Sequence, residues 1–559
     1  MAYRSISKLH LKVEAETPPR LWTTAAAAEG RVATRTSKRR NFARIPTVQP
    51  RKLTWGMPSW TLESSFTDFE QVVCLEFGGE FSGSIARVAW PRGLKTLTIG
   101  GKFNRSVKFV EWPAALVRLA FGDHFNQAVD KITWPGSLEE VEFGMRFNQP
   151  VAGLTWPASL QRVCFGDCFD QPVDDVAWPA SLLVLTFGKL FSKPLDNMAW
   201  PASLERLGFG MFFNLPLNNV AWPDSLRYLA FGDEFNRSVA GTSLPRSLTE
   251  LTFGASFNQP LSEVVWPASL QFLEFGEYFD QAIDGVEWPG SLQILLFGAD
   301  FDKPIHNVAW PSSLEELTLG CAFNQPLDEV RWPNSLVRFS IESHYCEEED
   351  GYRVPSAFNQ PIDGVVWPVA LRELEFQGDF DHSIRNLPQF LTTLNISGEF
   401  NQPLNNVAWP AGLEELTLAS AFNHPLHRVA WPNALKTIEL GTYFNQPLHR
   451  VKWPPALLNL TFGYHFDQPI HNVRWPSSLE YIRFGYSFNQ PIDPVAWPRT
   501  IKYLGLGVCF EQPIEGVSWP ASLQALAYET ESLDGPLPEI PGVRVVRFAE
   551  HLRSVLSPW

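Results

Sequence analysis

The sequence predicts a parallel β-solenoid of about twenty coils of 22 residues, with little helix. Three observations predict it. Trp-Pro pairs recur with a fixed period, apolar residues inside each period alternate over only a few positions, and Pro recurs too often for a helix to fit between strands.

The period is read from the Trp positions. Trp90, Trp112, Trp134, Trp156, Trp178, Trp200 and Trp222 stand 22 residues apart. Leu244 takes the place once, still followed by Pro245, and Trp266, Trp288, Trp310 and Trp332 continue the spacing. After an insertion the series resumes at Trp367, with Leu387 20 residues on. Trp409, Trp431, Trp453, Trp475, Trp497 and Trp519 complete it. One unit reads WPASLERLGFGMFFNLPLNNVA (200–221), and the template is W-P-x-S-L-x-x-L-x-[FL]-G-x-x-F-N-Q-P-[LI]-x-x-V-x. Positions below are counted from the Trp as position one.

Within the unit headed by Trp310, apolar Leu317 and Leu319 alternate with polar Glu316 and Thr318. That period of two marks a short strand with one buried face. Gly320 is expected to end it by permitting a turn. Pro326 and Pro333 leave six residues between them, so the return path is expected to be turns and irregular backbone. One unit cannot bury Trp310, Leu314, Leu317, Leu319, Phe323 and Leu327 alone, whereas stacked units can.

These residues resemble a family. The L-x-x-L-x-F core is similar to a leucine-rich repeat, and the longer pattern resembles the FNIP repeat. Ser256-Phe257-Asn258-Gln259-Pro260-Leu261 and Ser487-Phe488-Asn489-Gln490-Pro491-Ile492 carry it closely. The resemblance runs from near Phe77 to Leu526, with Trp in place of the Leu usual before the Pro. It implies a leucine-rich-repeat-like solenoid used as an interaction surface, sometimes beside an F-box or kinase domain. Neither pattern is present here, and the resemblance carries no catalytic residues.

Domain organisation follows. Residues 1–52 hold twelve Lys/Arg and three acids, a charge of +9, and read as a basic, disordered arm. The chain carries −15 overall, so the remainder is −15 minus +9, or −24. An acidic body repels phosphate backbones, so nucleic acid is not expected on the repeats. Residues 53–89 are expected to hold a degenerate first repeat and N-terminal cap. The solenoid is assigned to 90–526, with an insertion at 342–357, and the C-terminal cap to 527–559. Val543 to Phe548 reads as a last strand and Ala549 to Leu556 as a short helix. No apolar run approaches the roughly 20 residues needed to cross a bilayer, and the six Cys form no C-x-x-C pair. An intracellular, most simply cytoplasmic, location is expected, with a nuclear or organellar signal in the arm as the alternative.

Outward positions of the strands are free of structural duty and are the candidate recognition sites. Charged candidates are Glu140, Glu142, Arg162, Arg206, Glu274 and Glu316. Tyr228, Phe272, Ile294 and Leu296 are expected to place exposed apolar groups on the same face, a patch suited to a protein partner. The recurrent Asn at position 15 is expected to bond turn backbone within or between coils. At position 19, His427, His449 and His471 follow one another in consecutive coils and form a weak candidate metal column. The insertion's Glu347, Glu348, Glu349 and Asp350 are contiguous, which does not suit a calcium loop. No cofactor and no catalytic set is expected. The sequence reads as a non-catalytic protein-interaction scaffold, or alternatively as a structural protein that self-associates through its ends or faces.

Overall fold

The computed structural model describes residues 52–55, 72–196, 198–345, 353–514, 516–527 and 540–546. These form two compact units, one of residues up to 150 with 154–166, the other of 151–153 with 167 onward. Each unit is a parallel β-solenoid, and no helix occurs among the described residues. In the first unit the strand Lys52–Trp55 pairs with Cys74–Phe77, which pairs with Thr96–Thr98, and the series continues to Arg162–Cys164. In the second unit, parallel strands run from Val184–Thr186 to Arg544–Val546.

Registers advance by one repeat. Glu250 faces Phe272 and Leu251 faces Leu273, so each template position stacks on the same position of the next coil. The strands are mostly three residues long, with the central side chain buried. The rest of each coil is built from three tight turns. In the coil headed by Trp266, Leu270 N–H donates to Pro267 O, Phe279 N–H to Gly276 O and Val286 N–H to Ile283 O. The residues closing these turns are the buried Leu, Phe and Val of the template. Alternating hydrophobicity therefore sets the strand, while Pro, Gly and the paired polar positions set the turns between anchors.

Three ladders join the coils. The first is aromatic: Phe253 and Phe257 stack at 3.9 Å within a coil, and Phe253 meets Phe275 of the next at 5.6 Å. The second is polar. Asn236 Oδ1 accepts both Asn258 N–H at 3.0 Å and Gln259 Nε2 at 2.8 Å. The same pairing occurs in the first unit, where Asn104 Oδ1 accepts from Asn126 N–H and Gln127 Nε2. The structure thus places the recurrent Asn between coils and gives the following Gln a partner that sequence reading left unassigned. Where Asp replaces Asn, the next coil carries a matching donor: Lys193 on Asp170 at 2.6 Å, or Gln490 on Asp467 at 2.9 Å. The third ladder is the position-four Ser, whose Oγ donates to the preceding coil's Leu carbonyl, as Ser291 does to Leu270 O at 2.7 Å.

The position-eleven Gly ends the strand and opens a turn as expected, Phe323 N–H donating to Gly320 O, but what excludes a Cβ is the neighbouring coil. Gly320 has no left-handed φ. A Cβ on it would lie 1.8 Å from Gly298 O of the preceding coil. A Cβ on Gly254 would lie 2.0 Å from Gly232 O, and one on Gly144 in the first unit 2.0 Å from Gly122 O. These glycines exist because backbone packs on backbone between coils, not because the turn needs a positive φ. Gly378 and Gly398, at position twelve of the coils headed by Trp367 and Leu387, do adopt φ of 84° and 94°.

The insertion leaves the ladders intact. Asn359 N–H still reaches Asn324 Oδ1 at 3.0 Å, across 35 residues. A short antiparallel pair, His344–Tyr345 with Arg353–Val354, forms its base. Its acidic run, the basic arm before Lys52 and the helix expected over 549–556 lie outside the described residues. Lys52 itself, placed at the end of the arm by sequence, belongs to a strand. The expected last strand is present as Arg544–Val546. Among the described residues no helix is long and apolar enough to cross a membrane, and none of the five described Cys is in a disulfide.

The glycine contact is testable. Gly254→Ala is predicted to lower stability by about 1–3 kcal/mol, because the added methyl meets rigid backbone. Gly136→Ala, with nothing within 4 Å of the added atom, is predicted to be neutral or slightly stabilising. Chemical denaturation of both variants checks this, and equal effects would contradict it.

Candidate interaction surface

Positions seven and nine of each coil point away from the buried central residue and form a continuous strand face within each unit. In the first unit, Glu140 stands between Arg118 and Arg162 in register. Arg118 Nη2 bonds Glu140 Oε1 at 2.9 Å, and Arg162 Nε lies 3.3 Å from Cys164 Sγ. Arg162 and Glu142 are exposed.

In the second unit the register sets Arg206, Tyr228, Glu250, Phe272, Ile294 and Glu316 in one row. Glu274 and Leu296 are neighbours in the adjacent row. The structure therefore brings the seven second-unit candidates onto one face. Their exposure differs from the expectation. Phe272 is only 6% exposed, and Tyr228, Ile294 and Leu296 are half-buried. Neighbouring strands stand about 4.8 Å away, so the side chains of a row cover one another. Arg206 also lies over the Tyr228 ring, its guanidinium carbon 3.9 Å from the centroid. The apolar strip is a packed row rather than a set of projecting groups.

Glu274 sits among this row. Burial pushes its carboxyl up to about 7, and a long contact from Thr252 Oγ1 at 3.5 Å opposes this only weakly. Farther along, Tyr481 and Tyr503 stack at 4.4 Å and 7° on the strand face. Burial raises both phenols above their ordinary range.

Sequence reading missed the turn that follows the strand. Positions twelve and thirteen carry Tyr443, Tyr464 and Tyr486, which are 56%, 46% and 40% exposed. Tyr464 and Tyr486 stack at 4.5 Å and 3°, and Tyr443 stacks on His465 at 5.1 Å and 8°. Tyr464 meets His465 edge-on at 4.9 Å, so the four rings form one cluster. Two Tyr at position twelve in consecutive units were the available signal. The template treats that position as unconstrained, which hid it.

The histidine column is not assembled as a metal site. His427, His449 and His471 are exposed on a turn, and among the described residues no group of three or more His, Cys, Asp or Glu is placed to hold a metal ion.

Short parallel strands, helix-free return paths and polar ladders between coils define a leucine-rich-repeat type of solenoid. The chain belongs to the FNIP repeat family. The FNIP Repeat matches residues 235–278, 279–322, 422–465, 444–487 and 466–509. The crystal structure of CroV588, described as a novel circular LRR protein, is similar at 32% identity with a TM-score of 0.73. That likeness covers 89% of this chain and 79% of that one. TLR13 in complex with ssRNA13 is similar in fold at 14% identity with a TM-score of 0.50, over 86% of this chain and 75% of that one. No curated protein matches the chain.

The buried carboxyl gives a pH prediction. With a folded-state value near 7 against an ordinary 4.5, native Glu274 holds its proton through a window where the unfolded chain has lost it. Its contribution therefore favours the fold below about pH 4.5 and is lost as pH rises toward 7. Glu274→Gln is predicted to be more stable than the wild type at pH 8, by roughly 1–3 kcal/mol. The advantage should shrink toward zero near pH 4.5. Denaturation of both proteins across this range checks it, and a pH-independent difference would contradict it.

Proposed function

We propose that the chain is a non-catalytic scaffold that holds a protein partner on the strand face of its second unit and on the aromatic turn beside it. The observation that carries this reading is the exposed cluster of Tyr443, Tyr464, His465 and Tyr486. Tyr offers a large, rigid, amphipathic contact at low entropic cost, and such rings are typical anchors of protein interfaces. The row from Arg206 to Glu316 adds charge at the rim of a packed apolar strip, which favours partner selection over raw affinity.

A repeated surface suits binding better than catalysis. Each coil offers the same positions to solvent, so the chemistry is spread along the stack rather than focused on one reacting atom. Acidic strand-face groups such as Glu415 and Glu439 disfavour a nucleic-acid partner there. The likeness to TLR13 is of fold alone and transfers no ligand.

Affinity capture from native lysate tests this with two folded variants. One combines Tyr443→Ala, Tyr464→Ala and Tyr486→Ala; the other combines Tyr228→Ala and Ile294→Ala. Recovery of the specific partner is predicted to fall at least tenfold in the first variant, since a buried aromatic anchor contributes roughly 2 kcal/mol or more. A smaller loss is predicted in the second. Undiminished capture by both variants would sink the proposal.

A further inference from the structure

Positions 19, 20 and 22 of the second unit form an exposed ridge on a turn separate from the strand face. Its charges are segregated along the stack. From the coil headed by Leu244 to the one headed by Trp332 they are Glu263, Asp284, Glu287, Asp328, Glu329 and Asp363, broken by Arg331. From the coil headed by Trp367 to the one headed by Trp453 they are Arg385, Arg428, Arg450, Lys452 and Arg474. All of these side chains are exposed.

Elsewhere in this unit, stacked charges meet their opposites. Lys303 pairs with Asp280, Arg338 with Glu373, Lys436 with Glu414 and Lys502 with Glu480. On the ridge, the coils headed by Trp288 and Leu387 carry no Asp, Glu, Lys or Arg, but Glu263 adjoins the coil of Asp284 and Asp328 the coil of Asp363. Arg428, Arg450 and Arg474 follow in successive coils about 5 Å apart at the backbone. Such rows repel, and the turn does not require them, because the same positions hold Asn218, Gly241 and Pro494 in other coils. Where the acidic and basic stretches meet, Val366 and Val369 are 77% and 66% exposed.

We propose that this ridge is a two-fold, self-complementary interface on which a second copy of this chain docks antiparallel. A two-fold axis near Val369 sets the apolar spot of each copy against that of the other. The basic stretch of each copy then faces the acidic stretch of its partner. Arg385 meets the turn of Asp363, Arg450 and Lys452 meet the turn of Asp284 and Glu287, and Arg474 meets the turn of Glu263. Both copies share one strand spacing, so the rows stay in step along the contact. A foreign acidic protein would satisfy only the basic half and leave the acidic half unmatched. The inference does not rest on partner binding at the strand face.

Sedimentation of the full chain at about 50 mM and about 500 mM salt is the test, since screening at the higher value cuts exposed charge pairing. A dimer is expected at low salt, with a dissociation constant at least tenfold weaker at high salt. Arg385→Glu, Arg450→Glu and Arg474→Glu together give one variant, and Glu263→Lys, Asp284→Lys and Asp363→Lys together give another. Each alone is expected to be monomeric, and an equimolar mixture to form a one-to-one heterodimer, which also shows that both are folded. The tyrosine-cluster variant is expected to keep the dimer, separating this interface from the partner surface. A wild type that stays monomeric at low salt, a dimer that survives in either charge variant, or a mixture that does not pair would each overturn the proposal.

Discussion

Each coil must lie one strand's width from the next over its whole circumference, and the tightest point of that contact is backbone against backbone at position eleven. The carbonyl of one Gly occupies the space where a Cβ of the next would sit, as Gly254 shows against Gly232. The remaining ladders depend on that spacing. Phe rings at positions ten and fourteen stack across coils only at this separation. The Asn carboxamide reaches the next coil's N–H at about 3.0 Å for the same reason. Beyond the short strands, backbone bonds such as Tyr278 N–H on Ala255 O and side-chain bonds from Asn, Gln and Ser carry the coil-to-coil bonding around the coil.

Stacking also governs the surface. A residue placed at an outward position is held beside its equivalents in the neighbouring coils, so any bias in one position becomes a stripe. Opposite charges in a stripe neutralise each other, as Arg338 and Glu373 do. Apolar residues in a stripe cover one another, as around Phe272. Aromatic residues in a stripe stack and still project, as Tyr464 and Tyr486 do. The solenoid thus turns single-residue variation into extended surfaces, which is the physical basis for reading it as a scaffold.

The fold was legible because period and burial are sequence-level quantities. Trp-Pro spacing located the coils, and the alternation around Leu317 located the strands. The ladder role of Asn was legible from residue type, but its Gln partner was not, since that contact joins residues 23 apart. The turn at Gly320 was legible, but the close approach behind it was not, for the same reason: both select the same residue, and only the neighbouring carbonyl distinguishes them. The candidate face was legible as a face, because outward positions follow from the strand. Exposure along it was not legible, because Phe272 is covered by residues of other coils. Tyr464 and Tyr486 escaped notice because position twelve carries no template preference.

The central claim is that the coil is the structural unit and that contact between equivalent positions holds the array together. Deleting residues 244–265 removes one coil and leaves Trp222 and Trp266 units in register. Deleting eleven residues, 244–254, leaves a half-coil whose ladder positions match neither neighbour, so the ladders break at that junction. Thermal unfolding followed by circular dichroism compares the two. The account predicts a cooperative, β-rich transition for the 22-residue deletion and a transition lowered or split in two for the eleven-residue one. Equal damage from both, or a tolerated half-coil deletion, would contradict it.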